Sequence, residues 1–146
     1  MINHKLKMFP VWFALGLYAI SMILPAFYTE FILIGELGHT VDEGYTWNGW
    51  KVLAFGWAAI FDWTIAWYAN PLFAIATILL LQKKSCCFYY AWAALLVALT
   101  SFFYRNIWND KDPPEHIASY GIGFYFWLLA FIVLIWATWS NQDACE

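Results

Sequence analysis

The sequence YGIGFYFWLLAFIVLIWATW, residues 120–139, is a run of twenty residues without a charge. A helix of about 20 apolar residues matches a hydrocarbon core about 30 Å thick. This stretch therefore predicts a transmembrane helix, and it places the whole chain in the class of membrane proteins.

The composition of the chain favours the same class. Hydrophobic residues make up 64% of the 146 residues and charged residues 12%, against about 45–50% and about 25% in soluble proteins. A soluble fold of this size cannot bury so much apolar surface. The 11 Trp and 9 Tyr residues suit the headgroup level of a bilayer. No basic block accompanies the net charge of −3, so no nucleic-acid partner is expected.

The hydropathy pattern predicts an all-α polytopic membrane protein that forms a single domain, residues 1–146. One helix over the apolar run 47–82 would be about 54 Å long, which exceeds the thickness of the membrane. The run is therefore expected to divide, with a short interfacial helix at about 48–61 before the second span. The sequence leaves open whether this helix spans the membrane, dips into it or lies flat on it. Four spans are predicted, at about 10–27, 62–81, 88–104 and 119–139, with outward loops at 28–49 and 105–117.

The orientation of these spans follows from the lysines and arginines. Four of the seven basic residues lie in the N-terminal segment and in the turn at 82–84. The positive-inside rule therefore places both termini and the Lys83-Lys84 turn in the cytoplasm of a bacterial inner membrane.

Three polar residues define a candidate intramembrane polar site. Asp62 is the acid lodged within a long apolar stretch, where an ionisable group usually has a role or a partner. Lys51 lies eleven positions earlier, about three helical turns, and so shares one face with it if the helix is continuous. Asn70 precedes Pro71 at a predicted helix break. A hydrated Asp62, or one that caps the next helix, remains the alternative.

Small residues predict a helix-packing face between the third and fourth spans. In the third span they recur at i, i+3, i+7 and i+10, and the fourth span opens with a small-xxx-small pair. The residues concerned are Ala91, Ala94, Ala98, Ser101, Ser119 and Gly123.

The two outward loops hold most of the polar side chains. An acidic surface with exposed aromatic residues suits a basic protein partner. The histidines and carboxylates show no recognised metal-ligand spacing, and no catalytic constellation or cofactor motif is present, so no metal or cofactor is predicted. The candidate partner-binding residues are Glu36, His39, Asp42, Glu43, Tyr45, Trp47, Trp108, Asp110, Asp112, Glu115 and His116.

Four short motifs resemble a family of small bacterial four-span inner-membrane proteins. They are LPAF at 24–27, GW at 49–50 and 56–57, AWYANPLF at 66–73 and YGIGFYFW at 120–127. The family has no established activity, so the resemblance implies a membrane fold and no function. In size and layout alone, the chain is also similar to small immunity proteins that protect bacteria from membrane-active toxins.

The function predicted from these features is non-enzymatic. We expect a protein that lies in the lipid bilayer and acts by contact with another protein, as a toxin-immunity protein or an accessory subunit of a membrane complex. The alternative is a small transporter or channel subunit that uses Asp62 and Asn70. That alternative requires a homo-oligomer, because four short spans cannot enclose a pore. A lipid-modifying enzyme that uses His39 or His116 is the third possibility.

Overall fold

The computed structural model describes residues 7–35, 38–58, 65–104, 106–107 and 115–142, with the backbone alone at 31–35, 38–43 and 106–107. A 3-10 turn, Ala66–Tyr68, leads into the third helix, and another, Thr100–Phe103, continues the fourth. In chain order the elements are α1 Met8–Ile23, β1 Pro25–Gly35, β2 Gly38–Asn48, α2 Gly49–Phe55, α3 Ala69–Leu81, α4 Cys87–Leu99, β3 Asn106–Ile107, β4 Glu115–Tyr120 and α5 Ile122–Ser140.

The predicted all-α, four-span fold is wrong. Within the described residues, the segments expected as outward loops, 28–49 and 105–117, contribute to one antiparallel sheet with strand order β2-β1-β4-β3. Of the described helices, only Ile122–Ser140 is long and apolar enough to cross a membrane. The other long helices are apolar but shorter: Met8–Ile23, Ala66–Leu81 and Cys87–Phe103.

The first predicted span, 10–27, ends early because of Pro25. Proline disfavours helical backbone in the residue before it, and Leu24 is extended, with φ −76° and ψ 156°. The helix therefore stops at Ile23, and Pro25 becomes the first residue of β1, a strand position that proline tolerates. Aromatic and β-branched residues then continue the strand.

The second predicted span is also shorter than expected. Its described part is the 3-10 turn followed by α3, which ends at Leu81. The helix predicted at 48–61 is observed as α2, which covers Gly49–Phe55. Asp62 lies outside the described residues, so the face that it was expected to share with Lys51 stays a prediction.

The helices pack around a core of small residues and rings. Ala91, Ala94 and Ala98 on α4 are completely buried, as are Ala76 on α3 and Ala130 on α5. Such small side chains allow helix backbones to approach closely. The core also contains larger buried residues, among them Val11, Leu80, Phe73, Phe131 and Leu134.

The rest of the predicted packing face is divided between elements. Ser101 lies in the 3-10 turn after α4, and its hydroxyl donates to the Ala98 carbonyl at 2.6 Å. Ser119 is exposed on β4 and is not part of a helix. Gly123 is buried, and a Cβ there would lie 2.8 Å from the Leu24 carbonyl oxygen, so it packs against the end of α1.

Helices and sheet are joined at the α1–β1 turn. The amide of Gly49 donates to the Leu24 carbonyl at 3.1 Å, and the amide of Gly121 donates to the Ala26 carbonyl at 2.8 Å. A Cβ on Gly49 would collide with the Ser21 carbonyl oxygen and lie 2.9 Å from the Met22 Cα. These are backbone atoms that cannot turn aside, so this position accepts only glycine.

We predict that Gly49→Ala destabilises the fold by about 1–3 kcal/mol, the usual effect of overpacking. Gly16→Ala is the matched control, because a Cβ at that position would meet no atom within 4 Å and alanine favours the helix by roughly 0.5–1 kcal/mol. The measurement is the free energy of unfolding in mild detergent, followed by tryptophan fluorescence. Equal free energies for the two variants would contradict the close approach at Gly49.

Candidate functional site

The sheet brings together residues from both segments that were predicted to bind a partner. Glu30 of β1 pairs with Glu43 of β2 on one side and with His116 of β4 on the other. In the next register row, Phe31 pairs with Asp42 and with Glu115. Because neighbouring strands are about 4.8 Å apart, four candidate residues that are distant in sequence lie within about 10 Å of one another at the backbone level.

One member of this group, Glu115, is buried and has no solvent-exposed surface. The indole N–H of Trp47 donates to its Oε1 at 3.2 Å, and the Trp47 ring stacks on Phe27 with centroids 5.9 Å apart. A carboxyl group inside a protein is tolerated only when it is hydrogen-bonded. Trp47 and Glu115 therefore connect β2 to β4 across β1, in addition to the backbone pairing of the strands.

A β-bulge shapes the exposed part of the sheet. Between Tyr28 and Glu30 of β1 lies one residue, Thr29, whereas two residues of β2 lie opposite it. The Thr29 hydroxyl accepts a hydrogen bond from the Tyr45 amide at 2.8 Å and donates to the Tyr45 carbonyl at 3.1 Å. A bulge bends and twists a strand. Tyr45, beside it, is 64% exposed.

A second polar cluster lies among the helices, around Asn70. Its Oδ1 accepts hydrogen bonds from the Tyr18 hydroxyl and from the Trp127 indole N–H, each at 2.9 Å. Its Nδ2 donates to the Trp67 carbonyl at 2.9 Å, and the Trp67 indole donates to the Leu53 carbonyl at 2.9 Å. This cluster, which we call the Asn70 network, connects α1, α2, α3 and α5.

Stacked rings surround the Asn70 network on its apolar side. Tyr18 stacks on Phe73 with centroids 4.7 Å apart, and Phe73 meets Phe131 edge-on at 5.1 Å. Phe131 in turn contacts the ring of Trp127 at 5.0 Å. The carboxamide is therefore enclosed by aromatic side chains, and both acceptor positions of its oxygen are occupied within the fold.

The candidate polar site is only partly described. Lys51 lies on α2, half-buried, with its Nζ 5.9 Å from the centroid of the Trp50 ring. The structure thus joins Asn70 to aromatic donors, and any contact that Lys51 or Asn70 makes with Asp62 lies outside the described residues.

Several candidate partner-binding residues are also outside the described residues or are described only in part. Glu36, Trp108, Asp110 and Asp112 lie outside the described residues, and His39, Asp42 and Glu43 are described by their backbone alone. Over the part of the chain that the structure describes, no group of three His, Cys, Asp or Glu residues is placed to hold a metal ion.

Sequence reasoning missed Thr29 and the donors of the Asn70 network. Tyr18, Trp67 and Trp127 each carry a polar hydrogen within an apolar segment, and a buried phenol or indole normally finds an acceptor. Asn70 was the nearby acceptor that this rule required. Two of the quoted motifs, AWYANPLF and YGIGFYFW, contain the pair that meets, Asn70 and Trp127.

We predict that Asn70→Leu costs about 2–4 kcal/mol of stability, because it removes the acceptor shared by a half-buried phenol and a half-buried indole N–H. Tyr18→Phe removes one hydrogen bond and should cost about 0.5–1.5 kcal/mol. Tyr125→Phe, at a tyrosine 55% exposed on α5, is the control and should change little. Denaturant unfolding in detergent measures all three, and an Asn70→Leu variant as stable as the control would disprove the structural role.

The bulge gives a separate prediction. Thr29→Val keeps the shape of the side chain but removes the hydroxyl that bonds both backbone groups of Tyr45, and we expect a loss of about 1–3 kcal/mol. Thr46→Val, at an exposed position of the same sheet, should be nearly neutral, since valine suits a strand. Unfolding curves compare the two, and equal stabilities would show that the Thr29 hydroxyl is dispensable.

The comparisons with known proteins find no relative of this chain. No protein-family model matches the chain, no curated protein matches it, and no solved structure matches it. The candidate site is therefore defined by its own contacts.

Proposed function

We propose that this protein is embedded in a bacterial inner membrane through its helices and acts, without catalysis, by binding another protein through its sheet. A toxin-immunity protein or an accessory subunit of a membrane complex would work in this way. The observation that carries the proposal is the contrast between the exposed apolar side chains of the helices and the sheet, where Tyr45, Thr46 and Ser119 are exposed.

The apolar surface supports the membrane part of the proposal. Trp12 on α1, Ile78 on α3, Leu96 on α4 and Ile132 on α5 are all exposed. In water, each large apolar side chain left exposed forgoes about 1.5–3 kcal/mol of burial free energy. In hydrocarbon that penalty vanishes. Helix α5 adds to this support, because it is apolar on all sides, as expected of a helix surrounded by lipid and protein.

The polar groups inside the helices meet a requirement of the same environment. Among the described residues, no buried side-chain nitrogen or oxygen lacks a hydrogen-bond partner. Thr77 donates to the Phe73 carbonyl at 2.9 Å and Thr138 to the Ile135 carbonyl at 2.8 Å. A protein in hydrocarbon has to satisfy its polar groups internally, because no water is available there.

The sheet supports the protein-contact part. Glu30, Glu43 and His116 share a register row, and Tyr45 is exposed nearby. The two glutamates at paired positions make this row acidic in sequence, and an acidic row suits a basic partner. Tyrosine is among the residues that contribute most to protein interfaces.

The described contacts do not favour the alternative of a transporter or channel. The oxygen of Asn70 already accepts two hydrogen bonds from within the fold, which leaves it no free lone pair for an ion or substrate. We therefore propose no second function.

Site-specific photo-crosslinking in native membranes tests the proposal. We predict that a photoreactive phenylalanine at Tyr45, which is 64% exposed, forms an adduct with a distinct protein. The same residue at Leu96, which is 61% exposed on α4, is the matched control and should crosslink to lipid. The chain should also stay in the membrane fraction after an alkaline carbonate wash.

Each part of the proposal has its own contrary result. Release of the protein by carbonate would disprove the membrane assignment. No protein adduct at Tyr45, with lipid adducts retained at Leu96, would disprove the sheet as the contact surface. The immunity version further requires that expression of this chain alone protects cells from a membrane-active toxin, and unchanged sensitivity would exclude it.

A further inference from the structure

The turn between α3 and α4 has a lysine where glycine is usual. After α3 ends at Leu81, the amide of Lys83 donates to the Leu80 carbonyl at 3.0 Å and the amide of Lys84 to the Leu79 carbonyl at 2.9 Å. This is the Schellman arrangement, whose central residue adopts a left-handed conformation. Here that residue is Lys83, with φ 57°.

A lysine at this position is unfavourable for the fold alone. Residues with a Cβ adopt left-handed backbone at a free-energy penalty, which glycine does not have. Lys83 is the one non-glycine residue with positive φ among those that the structure describes. A residue kept in a strained conformation suggests that its side chain has a role.

The turn lies at the end of the helices opposite the sheet. The Lys7 amide donates to Asn141 Oδ1 at 2.6 Å, which joins the start of α1 to the end of α5 there. The described residues at this end include three exposed lysines, Lys7, Lys83 and Lys84, and no acid. The acids of the described residues, Glu30, Asp42, Glu43 and Glu115, lie in the sheet.

The residues on either side of the turn mark the level of a membrane surface. Leu81, just before it, is exposed, and Tyr89, in the first turn of α4, is 74% exposed. Aromatic rings favour the headgroup region of a bilayer, and lysine side chains extend from that region toward the phosphates.

We propose that Lys83 and Lys84 form a binding site for the phosphate group of an anionic lipid headgroup. This inference rests on the proposed membrane location. Both side chains are exposed, and each ammonium group offers three donors to phosphate oxygens. The left-handed backbone at Lys83 ends α3. Both lysines therefore lie just beyond the end of the helix.

Reconstitution into lipid nanodiscs tests the site. The wild-type protein is compared in discs of phosphatidylcholine with and without phosphatidylglycerol, and the unfolding temperature and the lipid retained after detergent extraction are measured. We expect phosphatidylglycerol to raise the unfolding temperature and to be retained preferentially. Loss of one lysine should weaken this retention about fivefold, which corresponds to about 1 kcal/mol for a charge near an anionic surface.

The variants separate binding from backbone strain. Lys83→Gly should unfold at a higher temperature than wild type in phosphatidylcholine, yet gain less from phosphatidylglycerol. The double variant Lys83→Gly with Lys84→Gln should lose the lipid effect. Lys51→Gln removes the same charge at the sheet end and should keep the lipid effect in full.

The contrary outcomes are distinct. Equal retention of phosphatidylglycerol by wild type and the double variant would overturn the site. If inorganic phosphate reproduced the full effect in phosphatidylcholine discs, the ligand would be free phosphate and not a lipid. Failure of the protein to enter nanodiscs would overturn the proposed membrane location, and this inference with it. Entry without any dependence on lipid charge would overturn this inference alone.

Discussion

The hydrogen bonds at the α1–β1 turn are the constraint on which the rest of the described structure depends. There α1 passes into β1 at Pro25, β2 passes into α2 at Gly49, and β4 passes into α5 at Gly121. The amides of both glycines donate to carbonyls of this turn, at Leu24 and Ala26. These three helix–strand junctions thus share one stretch of backbone, which holds the sheet at a defined position on the helices.

The close contact at this turn joins the sheet to the helices through backbone hydrogen bonds. Backbone groups at helix ends need hydrogen-bond partners. Here the amides of Gly49 and Gly121 find theirs in backbone carbonyls of the α1–β1 turn, without intervening side chains. Further into the helices, the Asn70 network does the same for the phenol and indole groups. Polar groups are therefore satisfied within the helices, and the outer helical surface is left to apolar side chains.

The helices were largely predictable from the sequence, whereas the sheet was not. The helix predicted at 119–139 is observed as Ile122–Ser140, because twenty uncharged residues leave few alternatives to a helix. The strands were not predicted, because a hydropathy window cannot distinguish a loop from a strand with bulges. The extra β2 residue opposite Thr29 and the extra β4 residue opposite the Tyr28–Thr29 step break the alternation that would have shown them.

The candidate site depended even more on long-range pairing. Trp47 and Glu115 are 68 residues apart in sequence, and each was assigned separately to a surface loop. Nothing in either local segment shows that these two side chains form a hydrogen bond. Asn70 was recognised as a polar residue at a helix break, but its role emerges only from Tyr18 and Trp127 on other helices.

The strand order β2-β1-β4-β3 has a consequence for biosynthesis. β1 is central in the described sheet, yet one of its two neighbours, β4, comes much later in the sequence. As the polypeptide leaves the ribosome, β1 must wait with one row of amide and carbonyl groups unpaired while α2, α3 and α4 are made. Such late pairing slows folding and leaves an open strand edge liable to aggregate. In a newly made chain, this edge of β1 therefore stays without its β4 partner until residues 115–120 have left the ribosome.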